Sequence, residues 1–451
     1  MKSTEQPPRA IRYYTLRDID RAPLADRLSP AQRQTVKVIG HVLPFRVNNY
    51  VVDELIDWDA VPDDPIFRLT FPQAGMLAGE DRARMAGALA RGGAAEVRAV
   101  AQDIRRGLNP HPSGQLSHNV PALEGEVVPG LQHKYAETCL VFPSPGQTCH
   151  AFCTFCFRWA QFVGMRDLKF ATDSEMRYLG YLRAHREVSD VLFTGGDPMV
   201  MKTALIERYV APLLKRGFEH IENIRFGTKM LGYWPYRVLS DHDSDDLLRL
   251  LERIVAAGKH VAVMAHFVHP RELSTPAVRA AIERLRSVGV VIRTQGPLIG
   301  HINDDPAVWA QMWTEQVRLG LVPYYMFVER DTGAQRYFKL SLERALDIHR
   351  RASGAVSGLA RTARGPVMSA LPGKVTVDGI TEIAGRRYFV LSLLQGRDPD
   401  WCRRPFLAEY DPEATWLSDL RPGLGETEFF FESQLRSMAA PAMTPELAEA
   451  A

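Results

Sequence analysis

From residue 139 onward, short runs rich in β-branched and aromatic residues alternate with longer segments of helical periodicity. The strand-like runs lie at 139–144, 190–196, 223–228, 260–267, 290–298 and 322–328. Segments with apolar residues three or four positions apart follow them, at 173–186, 202–217, 241–257, 275–288, 305–319 and 340–352. Strands that are each followed by a helix predict a parallel sheet with right-handed crossovers.

The helical pattern is clearest in segment 241–257. Four apolar residues fall on one stripe of this segment, and Gly258 follows as a helix-ending residue: the stripe is Leu247, Leu248, Leu251 and Ile254. Six strand–helix units are two fewer than a closed eight-unit barrel contains. The pattern therefore predicts an α/β fold with a partial (β/α)6 barrel.

The flanking segments differ in character from the repeating units. Residues 1–125 are polar, interrupted by prolines, and predicted to form a helical N-terminal region. The barrel would occupy 126–365. The segment 374–392 is typical of β-strands joined by glycine turns, which predicts a small β-rich C-terminal extension over 366–451. A flexible tail is expected beyond Met443.

Charge and cysteine content exclude several classes of protein. The chain of 451 residues carries 55 Lys and Arg against 53 Asp and Glu, so no general positive field favours nucleic acid or an anionic membrane. No apolar run approaches the roughly 20 residues that span a bilayer. The first residues lack the apolar core of a signal peptide. With five cysteines and no secretion signal, a reducing cytoplasmic location is expected.

Three of the five cysteines lie in the segment TCHAFCTFCF. Cys149, Cys153 and Cys156 form a C-x3-C-x2-C motif. Thiolates are ligands for iron–sulfur clusters, and three of them leave one iron of a [4Fe-4S] cluster free to bind a small molecule. The alternatives are a zinc site without its fourth ligand and a chance group of buried cysteines.

A second motif, GGDP at 195–198, follows the next predicted strand. Both motifs come directly after strands of one parallel sheet. The carboxyl ends of such strands meet at one edge, where active sites gather. The two motifs are therefore expected to form a single site.

These motifs, with several others in the same order, resemble the lysine 2,3-aminomutase-like branch of the radical S-adenosylmethionine (SAM) enzymes. The resemblance covers roughly residues 40–380. The matching blocks are VPGLQHKY, CHAFCTFCFR, DVLFTGGDPMV, IRFGTKM, HFVHPREL, TQGPLIGHINDD, PYYMFV and GPVMSALPGKV. The resemblance implies that Cys149, Cys153 and Cys156 bind a [4Fe-4S] cluster. It also implies that reductive cleavage of SAM yields a 5′-deoxyadenosyl radical, which takes a hydrogen atom from the substrate.

The resemblance also indicates residues near SAM. Gly195 and Gly196 would let the backbone approach the SAM amino group. Asp197 would either accept a hydrogen bond from a ligand amine or cap the next helix. Four further positions fall in family blocks at strand ends and are also consistent with structural roles: Thr228, Lys229, His266 and Gln295.

The chain departs from the aminomutases at the lysine that holds pyridoxal phosphate (PLP). That position, just ahead of Pro366-Val367-Met368, is Arg364 here. A guanidinium stays protonated and cannot form a Schiff base. Lys374 matches a turn of the family and is interpreted as structural, and Lys229 and Lys339 also match positions that do not bind PLP. PLP is therefore not expected as a cofactor.

The predicted substrate pocket also differs from that of the family. Arg158 matches the arginine that holds the substrate carboxylate, whereas Arg330 replaces an aspartate that binds the distal amine of lysine. A guanidinium can bind a carboxylate or phosphate through two hydrogen bonds. Together with Arg361 and Arg364, these residues predict an anionic, amino-acid-like substrate. Asp331 is an alternative to the replaced aspartate.

The leading hypothesis is a radical SAM enzyme that acts on a small anionic molecule without PLP. Its electron donor would be a protein such as flavodoxin or ferredoxin, and an oligomer is compatible with the sequence. One alternative is an amino-acid 2,3-aminomutase that binds PLP without a lysine tether. Another is a non-catalytic iron–sulfur or SAM-binding sensor. The sequence does not choose among rearrangement, elimination, epimerisation and oxidation, and it assigns no single catalytic residue.

Overall fold

The computed structural model describes residues 9–173 and 175–438, so the predicted tail beyond Met443 lies outside the described residues. The N-terminal part contains five α-helices, α1 (Leu24–Arg27), α2 (Pro30–Gly40), α3 (Pro65–Thr70), α4 (Gly79–Arg91) and α5 (Ala94–Arg106). Two short strands there, β1 (Tyr13–Tyr14) and β2 (Val47–Asn48), pair with each other. A second small pair follows, β3 (Ala122–Leu123) and β4 (Glu126–Val127).

The centre of the molecule is one sheet of eleven strands. Seven neighbouring strands are parallel and lie in chain order: β6 (Thr138–Val141), β7 (Asp190–Phe193), β8 (Asn223–Thr228), β9 (His260–His266), β10 (Val291–Leu298), β11 (Val322–Val328) and β12 (Arg364–Ser369). The six predicted strands are thus confirmed as β6 to β11. The sequence analysis missed β12, the seventh parallel strand.

Antiparallel strands extend the sheet at both edges. On one side β5 (Leu131–Tyr135) pairs with β6. On the other side, β13 (Gly373–Ile383), β14 (Arg386–Gly396) and β15 (Phe406–Glu409) continue the sheet beyond β12. The α/β class predicted from the sequence is confirmed.

Helices follow the parallel strands as predicted. They are α6 (Glu175–Ala184), α7 (Thr203–Val210), α8 (Met230–Tyr233), α9 (Ser244–Ala256), α10 (Pro276–Ser287), α11 (Pro306–Arg318), α12 (Gln335–Phe338) and α13 (Leu342–Gly354), and α14 (Glu432–Ser437) lies near the end of the described chain. Side-chain oxygens of Thr275, Asp305 and Ser341 cap the starts of α10, α11 and α13, which fixes where these helices begin.

Helix α9 confirms the apolar stripe read from the sequence. Leu247, Leu248, Leu251 and Ile254 are all buried, and they pack into the core beneath the parallel strands. Gly258 follows the helix with a φ of 81°, in the left-handed region that favours glycine. No helix in the described part of the chain is long and apolar enough to cross a membrane.

Side chains link the two ends of the sheet. The Lys134 amine on β5 donates to the carbonyl oxygen of Ala370, which follows β12. The Gln395 amide on β14 donates to Glu137 Oε1 in the turn between β5 and β6, at 2.7 Å. These contacts bring the first strand of the sheet close to its C-terminal hairpin, and they enclose the space among the strands.

Candidate active site

The cysteine motif lies in the loop that follows β6, at the carboxyl edge of the parallel strands. Each of its three thiols is free of disulfide bonds and half-buried. Burial raises the pKa of Cys153 to about 11 and that of Cys156 to about 12, and it raises the pKa of Cys149 as well. Metal binding must therefore displace protons from these thiols.

The arrangement of the three sulfurs fits a cluster better than a single zinc ion. In a tetrahedral zinc site with Zn–S bonds of about 2.3 Å, the sulfurs lie roughly 3.8 Å apart. Among the described residues, the three sulfurs do not all lie within 4.8 Å of one another, whereas His133, His185 and Glu187 do hold ligand atoms that close. A donor set of three separated thiols suits a [4Fe-4S] cluster with one iron left for SAM.

The N-terminal part of the chain holds the cysteine loop from outside. The Arg46 guanidinium donates to Thr148 Oγ1 at 2.6 Å and to the carbonyl oxygen of Cys149. The Asn48 amide donates to the carbonyl oxygens of His150 and Tyr233, at 3.0 and 2.9 Å. Sequence reasoning missed both residues, because nothing local in the chain marks a contact across a hundred positions.

The backbone of the same loop receives further support. The Phe152 amide donates to the carbonyl oxygen of Arg46 at 2.8 Å, and the Thr154 amide donates to that of Leu69 at 2.9 Å. The Cys153 thiol donates to the Tyr233 hydroxyl at 3.6 Å. The loop is therefore shaped by two separate parts of the N-terminal region as well as by the sheet.

Gly195 and Gly196 lie against the residues that precede Cys149. Gly195 has a φ of 136°, and a Cβ atom there would lie 2.0 Å from Gln147 Nε2. A Cβ atom on Gly196 would lie 2.3 Å from the Thr148 carbonyl oxygen. Gly195 is thus favoured by its backbone conformation, and Gly196 is required by the close approach of two backbone segments. Sequence reasoning gave neither reason. The contact of these glycines with SAM stays a prediction.

Asp197 is buried, and its carboxylate accepts several hydrogen bonds from neighbouring protein groups. Its two carboxylate oxygens accept from the Thr228 hydroxyl at 2.7 and 2.8 Å, from the Met199 amide at 2.9 Å and from the Lys229 amide at 3.0 Å. Burial raises the pKa of Asp197 to about 6 in spite of these bonds. Of the two roles considered from the sequence, the structure shows capping of the short 3-10 turn Pro198–Val200.

Lys229 is also held by its neighbours. Its amine forms an ion pair with the buried carboxylate of Glu272 and donates to the His266 carbonyl oxygen at 3.2 Å. It lies 4.5 Å from the ring centre of Tyr233. Lys229 therefore joins the ends of β8 and β9 beside the cysteine loop.

His266 and Gln295 face a cavity of about 310 Å³ among the strands, next to the cysteine loop. The His266 ring stacks on Phe155, with ring centres 5.7 Å apart. Burial, and secondly the charge of Lys229, lowers the pKa of His266 well below its usual value, so the ring is neutral. Its buried Nδ1 atom has no hydrogen-bond partner among the described residues.

Arg158 and Arg330 line the same cavity, and both guanidinium groups pack against the ring of Phe157. Their guanidinium carbons are 4.9 and 5.1 Å from the ring centre of Phe157, and Arg158 is also 4.3 Å from that of Phe142. Burial, and secondly the charge of Arg330, lowers the pKa of Arg158 to about 9, so it remains charged at neutral pH. Arg158 Nη1 and Arg330 Nε are buried without hydrogen-bond partners among the described residues.

The other predicted substrate arginines lie elsewhere. Arg364 stacks over Tyr324 and Tyr325, at 4.5 and 4.6 Å from their ring centres, and is not among the residues that line the cavity. Arg361 donates to the carbonyl oxygens of Ser353 and Val356. The proposed contact of Arg364 with substrate stays a prediction.

Two lysines that the sequence analysis did not assign to the site also line the cavity. Lys134 on β5 donates to the Ala370 carbonyl oxygen, and Lys374 donates to Gln395 Oε1. Lys374 lies in strand β13, so its interpretation as a turn residue is wrong. Neither lysine forms an ion pair with a described carboxylate.

The positive charges that line the cavity are only partly balanced by negative ones. Of the three acidic residues that line it, Asp190 pairs with Arg225 at 2.6 Å. Burial raises the pKa of Glu329 well above its usual value, which keeps that carboxyl neutral. Glu137, the third acidic residue, accepts a hydrogen bond from Gln395. Buried charges are normally paired. The unpaired guanidinium groups of Arg158 and Arg330 thus favour an anionic ligand.

Comparison with known proteins identified similar enzymes. A protein of Aquifex aeolicus (strain VF5) with the provisional name L-lysine 2,3-aminomutase is 30% identical over 395 residues, which make up 87% of this chain and 92% of that protein. The glutamate 2,3-aminomutase of Clostridioides difficile (strain 630) is 28% identical over 212 residues, 47% of each chain. The L-lysine 2,3-aminomutase of Escherichia coli (strain K12) is 27% identical over 237 residues, 51% of this chain and 64% of that protein. No protein-family model matches the chain.

Proposed function

Because the chain belongs to the lysine 2,3-aminomutase-like family of radical SAM enzymes, we propose that it acts on a small anionic, amino-acid-like substrate. Cys149, Cys153 and Cys156 would hold a [4Fe-4S] cluster. When bound, the cluster and SAM supply a 5′-deoxyadenosyl radical that removes a hydrogen atom from the substrate. The remaining steps depend on how the residues of this chain bind and orient their ligands.

The sheet and its helices fit a partial (β/α)6 barrel with the site at its carboxyl edge. We propose that residues 126–365 form this barrel, with a helical N-terminal region over 1–125 and a C-terminal extension over 366–451. The side-chain contacts between β5 and β14, and the cavity that they help to enclose, support this description. In such an architecture the loops after the strands carry the chemistry.

Two groups of residues are proposed to serve SAM binding, one by contacting SAM and one by positioning the loops around it. His266 and Gln295 face the cavity beside the cysteine loop and are proposed to contact SAM directly. The backbone of Gly195 and Gly196, at the neighbouring strand end, is proposed to approach the SAM amino group. Asp197, Thr228 and Lys229 are already bonded to one another or to Glu272. They are proposed to position the SAM-binding loops.

One observation carries the assignment of the substrate: Arg158 and Arg330 present buried, unpartnered guanidinium nitrogens in the cavity. A buried donor without a partner costs about 1–3 kcal/mol, and more when it is charged. A carboxylate or phosphate of the substrate would satisfy both arginines. This supports an anionic substrate, with Arg158 and Arg330 as its binding residues.

Arg364 does not suit PLP. Its guanidinium cannot form an imine, and it stacks on Tyr324 and Tyr325. We therefore propose that the reaction does not use PLP bound at the position that holds it in the aminomutases. The reducing cytoplasm suits an oxygen-sensitive cluster, and a flavodoxin or ferredoxin would serve as electron donor.

The test is cleavage of SAM by protein that has been reconstituted without oxygen and reduced with dithionite, with no PLP added. We expect 5′-deoxyadenosine from the wild type, increased by an anionic amino acid that acts as substrate. Cys153→Ala should abolish it, because two thiolates do not hold the cluster. Cys402→Ala is the matched control, since this half-buried cysteine lies far along the chain from the motif. Equal SAM cleavage by Cys153→Ala and wild type would contradict the proposal.

A further inference from the structure

Lys374 is the second residue of β13, and its amine lines the central cavity. The register of the β12–β13 hairpin pairs Ser369 with Lys374. The chain therefore leaves the cavity at the end of β12, turns, and returns with a lysine facing inward. The mechanism proposed above gives this amine no role.

Aromatic rings and an amide surround the amine. Its nitrogen is 5.0 Å from the ring centre of Tyr135 and 4.9 Å from that of Tyr325, and it donates to Gln395 Oε1. No carboxylate of the described residues lies within ion-pair distance. The charged groups that face it come from four parts of the sheet: Arg225 on β8, Arg364 on β12, Asp190 on β7 and Glu137 before β6.

These surroundings favour the neutral amine. Burial has the largest effect, Arg225 and Arg364 act in the same direction, and together they lower the pKa of Lys374 to about 7. Glu137 and Asp190 oppose this only in part, because Asp190 is already paired with Arg225. A lysine that is neutral in a desolvated pocket is a nucleophile towards carbonyl carbon.

We propose that Lys374 forms an imine with a small anionic aldehyde or 2-oxo acid that occupies the cavity. The amine nitrogen attacks the carbonyl carbon and a C–N bond forms. The carbonyl oxygen then leaves as water with the two amine protons, so no oxidant or reductant is needed. This proposal rests on the proposed function in one respect, that the oxo compound and the substrate share one cavity.

The cavity supplies the other groups that this reaction requires. Arg158 and Arg330 can bind the anionic end of the oxo compound. Tyr325 lines the cavity and its buried hydroxyl can donate to the oxygen that leaves. A C=N bond beside a carbon radical delocalises the unpaired electron.

The experiment traps the imine with borohydride. The full-length protein is incubated with glyoxylate in one arm and with pyridoxal 5′-phosphate in the other, then reduced and analysed by peptide mass spectrometry. At pH 7 the neutral fraction of Lys374 is about a thousandfold larger than that of an unperturbed lysine. We expect an adduct on Lys374 at concentrations of glyoxylate or pyridoxal 5′-phosphate that leave the exposed Lys339 unlabelled. Because only the neutral amine attacks, labelling should increase as the pH rises through about 7.

Two variants make the test specific. Lys374→Met keeps nearly the same length and, like the neutral amine, carries no charge, but it cannot form an imine, so it should fold and lose the adduct. Lys339→Gln should keep the adduct on Lys374. An adduct from glyoxylate supports an oxo acid as the partner. An adduct from pyridoxal 5′-phosphate also supports the imine, and it would overturn the PLP-free part of the proposed function.

Failure of this inference can be distinguished from failure of the proposed function. Absence of an adduct on Lys374 in both arms, from protein that still cleaves SAM, would overturn the imine proposal alone. Absence of SAM cleavage from protein that forms the adduct would overturn the proposed function alone.

Discussion

Single residues account for the polarity of the cavity. Arg158 and Arg330 are charged, stacked on aromatic rings and incompletely hydrogen-bonded. An isolated buried charge destabilises the free protein, and an anionic ligand that pairs with it stabilises the complex. The two arginines therefore couple protein stability to anion binding.

We predict that anionic amino acids such as glutamate and O-phosphoserine raise the thermal unfolding midpoint of the wild type more than chloride does at equal ionic strength. Arg158→Gln and Arg330→Gln should each weaken this effect. A hydrogen bond to a charged group contributes about 1.5–3 kcal/mol, which corresponds to roughly tenfold to a hundredfold in affinity. Differential scanning fluorimetry over a range of ligand concentrations measures the change.

Arg361→Gln is the matched control, because its guanidinium is bonded to backbone carbonyls outside the cavity. It should lose some stability but keep the response to anions. An unchanged response in both Arg158→Gln and Arg330→Gln would contradict the anionic pocket.

The sequence predicted some residues of the site better than others. Arg158 could be proposed because it lies in a block that resembles the family, and Arg330 because it follows another such block where the family has an aspartate. Lys374 could not, because its position at the cavity depends on the register of a hairpin between β12 and β13. The role of Asp197 was also open, since a carboxylate after two glycines can bind a ligand or cap a turn. The contact with the Met199 amide shows the cap, and the ligand-binding role stays a prediction.

At the scale of elements, the loop between β6 and α6 depends on a segment near the N-terminus. Arg46 and Asn48 lie on either side of β2's first residue, Val47, and their side chains bond to backbone carbonyls of the cysteine loop. Charge-assisted hydrogen bonds of this kind fix geometry more strongly than neutral ones. The short strand β2 thus orients the loop that carries the thiols.

We predict that Arg46→Gln loosens the cysteine loop and lowers the iron content after reconstitution. Loss of its bonds to Thr148 and Cys149 should cost about 2 kcal/mol in loop stability. Iron per chain and the electron paramagnetic resonance spectrum of the reduced protein measure the effect. A purely structural role would lower stability without changing the spectrum.

Arg105→Gln provides the control at this scale. Arg105 donates to the carbonyl oxygens of His41 and Val42, both at 2.8 Å, within the same N-terminal region. The two variants remove similar bonds, but only one of them touches the cysteine loop. Equal iron content and identical spectra in both would show that Arg46 does not position the loop.

The sequence was most informative about the secondary-structure elements. Strands β6 to β11 and the helices between them follow from local periodicity, which depends on neighbouring residues alone. Strand β12 escaped prediction because its six residues contain Gly365 and Pro366, which disfavour strands. Its pairing with β11 comes from tertiary packing, which overrides such local preferences.

At the scale of the whole molecule, the N-terminal helices and the cysteine loop share one core. Ala151, Phe155 and Trp159 are buried with apolar residues of the N-terminal region. The cysteine loop is thus packed into the same core as the N-terminal region. Anything that orders this loop is expected to stabilise the N-terminal region as well.

We predict that cluster binding slows amide hydrogen exchange at residues 45–50 and 68–70 as well as at 149–156. The reason is that the Phe152 and Thr154 amides donate to the carbonyl oxygens of Arg46 and Leu69, so ordering of the loop restrains the backbone of these two segments. Hydrogen exchange of the protein with and without its cluster, followed by mass spectrometry, measures this. The hairpin of β13 and β14 is the internal control and should not change. Protection limited to 149–156 would contradict the coupling.

The two ends of the eleven-stranded sheet are joined by side chains, whereas neighbouring strands are joined by backbone ladders. The contacts of Lys134 with Ala370 and of Gln395 with Glu137 form this junction. Each such bond contributes about 1 kcal/mol. Arg397, which follows β14, braces the same junction by donating to the His118 carbonyl oxygen and to Asn119 Oδ1. The wall of the cavity is thus closed here by several separate side-chain bonds, which can part while every backbone ladder stays intact.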